Sequence, residues 1–268
     1  MDSTLLAVLV GAVVAGLGGL LVPRIIARVP EIEPQPEPAV EPAGPAGPDP
    51  AGPDQAELGS EADATVDAAP VEEPPEPFAD IAGLPGLGWR SAVASAVAGA
   101  VVGAAVGWEW AFVLWVPFVP VYVALAVVDW RTRLLPSYLI RPMYVVLALL
   151  VALGAALTGD PHAAVRAALG WLVAGGLFAV LWFIYPRGLG FGDVRLAGVL
   201  GIGLGWVGWG ALLVGVYAGF LLGGVIGGLL SVLRIVERKG FPFGPFMLVG
   251  AVVGLAWGTD LWSRLVTG

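Results

Sequence analysis

The sequence has 268 residues, of which 58% are hydrophobic, and its mean hydropathy is +0.87. Soluble domains contain roughly 45–50% apolar residues even with glycine counted, so this composition excludes an ordinary soluble domain. The formal net charge is −8, with no cysteine and one histidine, His162. Disulfides and cysteine-ligated zinc are therefore excluded, and a single histidine cannot build a metal site by itself.

The first apolar run extends from Leu5 to Val22 and has no basic residue before it. A secretory signal peptide carries its positive charge ahead of the apolar run, whereas here Arg24 and Arg28 follow it. The run therefore predicts a retained membrane span, with the N-terminus outside and the two arginines in the cytoplasm. Residues 1–28 form the first predicted region.

Residues 29–83 form the second predicted region, an acidic linker. Within it, residues 29–80 hold 13 prolines and 14 of the 21 acidic residues, and no lysine or arginine. Such a segment cannot bury enough apolar surface to offset the entropy lost on ordering, so disorder is predicted. A flexible spacer is the favoured interpretation, and a docking site for a basic partner is the alternative.

Residues 84–268 form the third predicted region, in which apolar runs long enough to cross a bilayer resume. The predicted spans are 91–107, 110–128, 142–158, 163–184, 194–208, 211–233 and 245–262. Together with the first run they predict an all-α polytopic membrane protein with about eight transmembrane helices. Threading these spans from an outside N-terminus places eleven basic residues inside and two outside, which supports the assignment of the linker to the cytoplasm.

Two carboxylates stand out because they lie at the ends of spans. Four of the seven acids outside the linker fall on the outer side, and Glu237 lies in a basic inner loop where it is solvated. Asp129 ends the third span and Asp193 begins the sixth, and both are predicted on the inner side. Ionisable groups within spans are costly and usually functional. Asp193 could also simply cap its helix. As a pair the two could bind a cation, relay protons, or share a proton to activate water.

Three local sequences carry a resemblance to a known family. Asp129-Trp130-Arg131-Thr132-Arg133-Leu134-Leu135-Pro136 resembles the first motif of the type IV prepilin peptidases. Gly190-Phe191-Gly192-Asp193-Val194-Arg195-Leu196 is similar to their GxGD motif, and Phe241-Pro242-Phe243-Gly244-Pro245-Phe246 to the turn that opens their last span. The motifs occur in the family's order, and the resemblance covers about residues 84–262.

The resemblance implies an aspartic membrane endopeptidase of the inner membrane, with Asp129 and Asp193 as the catalytic pair. Gly190 and Gly192 would shape the loop that presents Asp193, and the segment Pro242–Pro245 would be structural or face the substrate. The implied substrate is a prepilin or pseudopilin, whose basic leader is cut after a glycine at the cytoplasmic face. No cofactor, metal or nucleic acid is implied, and neither composition nor motifs indicate an oligomeric state.

The chain also departs from this family. Larger members carry a cysteine-containing zinc domain between the first two spans and N-methylate their product, whereas the acidic linker stands there in this chain. The metal site is therefore excluded, and methyl transfer is not expected. Ser137 stands where an Asp or Asn often follows the motif proline, so it adds no support. The main alternative is a small ion- or proton-coupled transporter that uses the same aspartates. A membrane scaffold is the second, but it leaves the motifs unexplained.

Overall fold

The computed structural model describes residues 2–31, 75–186, 188–232 and 242–267, except the side chains of 226–232 and 267. Within these ranges the secondary structure is entirely helical, which confirms the predicted all-α class. The α-helices of the described residues are α1 (Ser3–Gly19), α2 (Val22–Ala27), α3 (Phe78–Ala82), α4 (Leu87–Val106), α5 (Trp110–Trp115), α6 (Val119–Thr132), α7 (Ser137–Thr158), α8 (Pro161–Ile184), α9 (Phe191–Val207), α10 (Trp209–Val232) and α11 (Gly244–Thr267). A 3₁₀ turn, Val116–Phe118, joins α5 to α6.

Five helical segments are long and apolar enough to cross a bilayer in the described part of the chain. They are Leu87–Val106, Trp110–Thr132, Ser137–Thr158, Pro161–Ile184 and Gly244–Val266. Two further apolar helices, Ser3–Gly19 and Trp209–Val225, are shorter within the described residues. A polytopic membrane protein is thus supported, whereas the predicted total of eight spans stays a prediction.

Helix α9 differs from the other predicted spans because it is enclosed by protein. Thirteen of its 17 residues are buried, against α7, α8, α10 and α11. Glycines at 198, 201, 203 and 205 reduce its hydropathy and let neighbouring backbones approach closely. The helix that carries Asp193 is therefore the centre of the bundle.

Small residues hold the helix pairs together. A methyl group on Gly170 of α8 would overlap the Gly201 carbonyl oxygen of α9, and the reverse is also true. Gly215 and Gly219 of α10 also face the α11 backbone, where an added methyl group would lie 3.3 Å from Gly250 O or from Met247 Cα. These two glycines, four residues apart, therefore allow close packing of α10 against α11.

The fourth predicted span begins later in the sequence than the helix does. The predicted span runs from residue 142 to residue 158. Helix α7 instead begins at Ser137, after Pro136 in extended conformation, and continues through Pro142. Pro142 has no N–H to donate to the carbonyl of Tyr138 one turn earlier.

The folded body includes both ends of the predicted linker. The Glu31 carboxylate accepts hydrogen bonds from the backbone N–H groups of Phe78 and Ala79, at 3.1 and 2.9 Å. Phe78 and Ile81 of α3 are buried with Val22 and other residues of α2. The predicted boundary at residue 83 therefore falls after a packed helix, while residues 32–74, predicted to be disordered, lie outside the described residues.

The close contact between α8 and α9 predicts that two glycines of α8 differ in their tolerance of an added methyl group. Gly170→Ala should destabilise the protein by about 1–3 kcal/mol, because the added methyl group overlaps backbone. Gly176→Ala should be neutral or stabilising, because no atom lies within 4 Å of the added group. Thermal unfolding in a mild detergent measures both. Equal midpoints for the two variants would contradict the close approach of α8 and α9.

Candidate functional site

Asp129 lies in the last turn of α6 and its residue surface is only 3% exposed. Its Oδ2 accepts a hydrogen bond of 2.8 Å from the backbone N–H of Gly244, the first residue of α11. The N-terminus of a helix carries a partial positive charge, which favours a carboxylate there. The side chain therefore joins the end of α6 to the start of α11.

Asp193 lies in the first turn of α9 and is 7% exposed. Its Oδ2 accepts a 3.0 Å hydrogen bond from the Gly190 N–H, and its own N–H donates to the Gly190 carbonyl. The helix-capping role considered from the sequence is thus present. It does not account for the burial of Asp193, since a capping carboxylate is equally effective at a solvated helix end.

Asp129 and Asp193 are the only buried charged side chains among the side chains that the structure describes. Each uses Oδ2 for a backbone N–H. Gly192, which directly precedes Asp193, and Gly244, which donates to Asp129, both pack against Leu135, so the two carboxyl groups lie in the same region of the bundle. The structure thus brings together the two carboxylates singled out from the sequence.

Leu135 packs between Gly192, which precedes Asp193, and Gly244, which donates to Asp129. A methyl group on Gly192 would lie 2.7 Å from Leu135 Cβ, and one on Gly244 would lie 3.4 Å from Leu135 Cδ2 and 2.8 Å from Asp129 Oδ2. Both glycines are therefore required by close approach. Leu135 belongs to the first motif, but its position in the sequence does not predict its contacts with Gly192 and Gly244.

The turn after α6 positions Leu135. Arg133 adopts a left-handed conformation with φ of 58°, and its N–H donates to the Asp129 carbonyl at 2.8 Å. The Thr132 hydroxyl donates to the Val128 carbonyl and accepts from the Leu134 N–H, at 2.8 and 3.2 Å. These bonds end α6 at Thr132, within one turn of Asp129, and direct the chain towards Pro136.

A second connection joins the two motifs through side chains that the sequence analysis did not assign. The Arg195 guanidinium donates to the Ser137 hydroxyl and lies 4.6 Å from the centre of the Phe191 ring. The Tyr144 hydroxyl donates to the Arg195 carbonyl at 2.6 Å. Ser137 directly follows the motif proline, and Arg195 follows Asp193 by two residues. The sequence signal for this contact was that a hydrogen-bond donor, Arg195, and a possible acceptor, Ser137, each lie next to one of the two motif aspartate segments.

The other predicted support residues have different roles. Gly190 has φ −74° and ψ 146°, a conformation open to any residue, so it is not required by backbone geometry. Pro136 precedes α7, and Pro245 occupies the first turn of α11, where a missing N–H costs nothing. Pro242 is buried next to Phe243, whose ring packs 5.5 Å from that of Phe220. Phe241 and Glu237 lie outside the described residues.

An ion pair holds the end of the linker near Asp129. Arg131 donates from Nε and a terminal nitrogen to the two Glu76 oxygens, at 2.5 and 2.8 Å. The hydrogen bond and the positive charge lower the pKa of Glu76. Both side chains are partly exposed, so solvent screening limits their contribution to stability. The pair nevertheless connects Glu76, at the end of the linker, to Arg131 of α6.

The two motif glycines should respond differently to substitution. Gly192→Ala should lower the thermal unfolding midpoint, by the equivalent of about 1–3 kcal/mol, because the methyl group overlaps Leu135. Gly190→Ala should cost less, because the atoms nearest to its methyl group are Asp193 Oδ2 at 3.3 Å and the Gly192 nitrogen at 3.9 Å. Unfolding in detergent compares the two variants. A larger loss for Gly190→Ala would show that the loop, rather than Leu135, imposes the requirement for glycine.

Comparison with known proteins agrees with the motifs. Residues 116–232 match the type IV leader peptidase family. The prepilin leader peptidase/N-methyltransferase of Aeromonas hydrophila is 30% identical over 162 residues, 55% of this chain and 50% of that protein. The protein of the same name from Aeromonas salmonicida strain A449 is 32% identical over 144 residues, 53% of this chain and 48% of its own. That from Pseudomonas putida is 28% identical over 153 residues, 55% and 51% of the two chains.

The chain thus spans about half the length of the curated relatives that it matches. No solved structure matches it. The family match contains Asp129, Asp193 and the residues that connect them, and ends before the Pro242–Pro245 segment. The match agrees with the resemblance drawn from the first two motifs: residues 116–232 are similar to the type IV leader peptidase family.

Proposed function

We propose that the protein is an aspartic endopeptidase of the membrane, with Asp129 and Asp193 as its catalytic pair. The observation that carries the proposal is their joint burial, since a structural role does not require two neighbouring carboxyl groups in a helical bundle. Each carboxyl is anchored by one backbone N–H, which fixes its orientation. The matched family and the names of the relatives support the same reaction class.

The mechanism uses one proton shared by two carboxyl groups. Two neighbouring carboxylates do not ionise together easily, so one stays protonated while the other is charged. The charged group removes a proton from water, and the protonated group donates a hydrogen bond to the peptide carbonyl under attack. The Gly244 and Gly190 N–H groups each occupy an Oδ2. The second oxygen of each aspartate can then face the water and the substrate.

We further propose that the substrate is a prepilin or pseudopilin, cut after a glycine that ends its basic leader. The support is the family resemblance and the names of the relatives, which are prepilin leader peptidases. Cleavage at the cytoplasmic face follows from the distribution of basic residues, because cytoplasmic loops are enriched in Lys and Arg. The same distribution supports eight spans and an outside N-terminus.

Only the peptidase activity is proposed for this chain, although the relatives' names also include N-methyltransferase. The 268 residues contain no cysteine, so the zinc site associated with the larger family members cannot form from them. The transporter alternative is not favoured, because a match to leader peptidases includes both aspartates. Its sequence signature, inverted repeats with broken helices at mid-membrane, is also missing from the apolar pattern.

The catalytic assignment predicts the effect of two isosteric substitutions. Asp129→Asn and Asp193→Asn should each reduce leader cleavage by on the order of 10³-fold or more, because an amide cannot transfer the proton. Both variants should fold, since the amide oxygen can still accept from Gly244 or Gly190. Co-expression with candidate prepilins, scored by the mobility shift on leader removal, measures the loss.

Asp80→Asn is the matched control, because Asp80 is exposed on α3 and undergoes the same chemical change. Asp80→Asn should retain full cleavage. Glu237→Gln, in a predicted cytoplasmic loop outside the described residues, should do so as well. Normal cleavage by either catalytic-pair variant would remove the protease assignment and favour the transporter. Loss in a control would show that the wrong carboxylates had been selected.

The proposed sidedness can be tested with single cysteines, because the native sequence has none. Ser60→Cys in the linker should resist an impermeant maleimide applied to intact cells and react after lysis. His162→Cys, at the exposed start of α8, should react in intact cells because it is predicted outside. The reverse pattern would overturn the threading and the cytoplasmic placement of the aspartates.

A further inference from the structure

A groove separate from the aspartates lies between α2, α6 and α7. It encloses about 570 Å³ and is open to the surface of the bundle. The polar residues that line one part of it are Arg28, Tyr138 and Arg141. Its apolar lining includes Phe118, Val121 and Val146. The groove therefore combines a basic rim with a hydrophobic wall.

Neither arginine of the rim forms an ion pair with an acidic group among the described residues. The ion pair between Arg131 and Glu76 includes neither Arg28 nor Arg141. Both arginines are exposed, so their side chains are free to meet a ligand. The complementary occupant has an anionic end and an apolar body.

The helix beside the rim lacks one backbone hydrogen bond, because Pro142 cannot donate to the Tyr138 carbonyl, and both residues line the groove. A basic leader peptide does not fit the rim, since its charges would repel the two arginines.

We propose that this groove binds a phospholipid with an anionic headgroup. The phosphate lies between Arg28 and Arg141, and an acyl chain follows Phe118, Val121 and Val146. Basic pockets between membrane helices on the cytoplasmic side suit anionic headgroups, and that leaflet carries negative charge. Because α7 begins at Ser137, which hydrogen-bonds Arg195, the lipid also contacts the helix that joins the two motifs.

Lipid titration of the purified full chain in an uncharged detergent tests this proposal. Dioleoyl phosphatidylglycerol should raise the thermal unfolding midpoint in a saturable way, and dioleoyl phosphatidylcholine should not. Native mass spectrometry should count about one tightly bound phosphatidylglycerol. The double variant Arg28→Gln/Arg141→Gln should bind it about 30-fold more weakly, from roughly 1 kcal/mol per arginine.

Arg24→Gln is the matched control, because Arg24 is an exposed arginine of α2 that does not line the groove. It should keep wild-type lipid binding. Equal effects of the two lipids, or undiminished phosphatidylglycerol binding by the double variant, would overturn the proposal. Residues 32–75 contain eleven acids. Phosphatidylglycerol binding that is observed only when those acids are changed to Gln would also overturn the proposal.

Discussion

The hydrogen bond from the Gly244 N–H to Asp129 connects parts of the chain that are 115 residues apart. A buried carboxylate without such a donor would be strongly destabilising, so α11 has to begin beside the end of α6. Asp193 has no such dependence, since its donor Gly190 lies three residues before it. One member of the pair is thus held by local structure and the other by the tertiary fold. The site is complete only when the last helix is in place.

Close packing through glycine meets this requirement. Gly250 of α11 lies against the backbone of Gly215 and Gly219 in α10, and Gly170 of α8 lies against Gly201 of α9. Contacts between backbones leave little freedom for a helix to shift along its neighbour. They therefore determine where the first turns of α9 and α11 lie, and those turns hold Asp193 and the donor to Asp129. Leu135 then fills the space between Gly192 and Gly244.

The sequence was sufficient to predict the all-helical class, to single out the two aspartates and to reveal the family resemblance, because hydropathy and short motifs are local properties. It could not reveal the contacts of Leu135 with Gly192 and Gly244, or that of Ser137 with Arg195. These contacts join residues 57 to 109 positions apart, and they exist only because particular helices pack together. The central position of α9 was missed for the same reason, since hydropathy does not distinguish a helix facing lipid from one facing protein. The predicted span 142–158 also starts later than helix α7, which begins at Ser137.

The central claim is that Asp129 and Asp193 act as one catalytic unit. The most direct test compares residual leader cleavage in Asp129→Asn, in Asp193→Asn and in the double variant, at equal amounts of inserted protein. Residues that form a unit have strongly non-additive effects, because removing either one already stops the reaction. The account predicts that the double variant cleaves no more slowly than the slower single variant. A double variant whose loss equals the product of the two single losses would show independent roles and contradict the account.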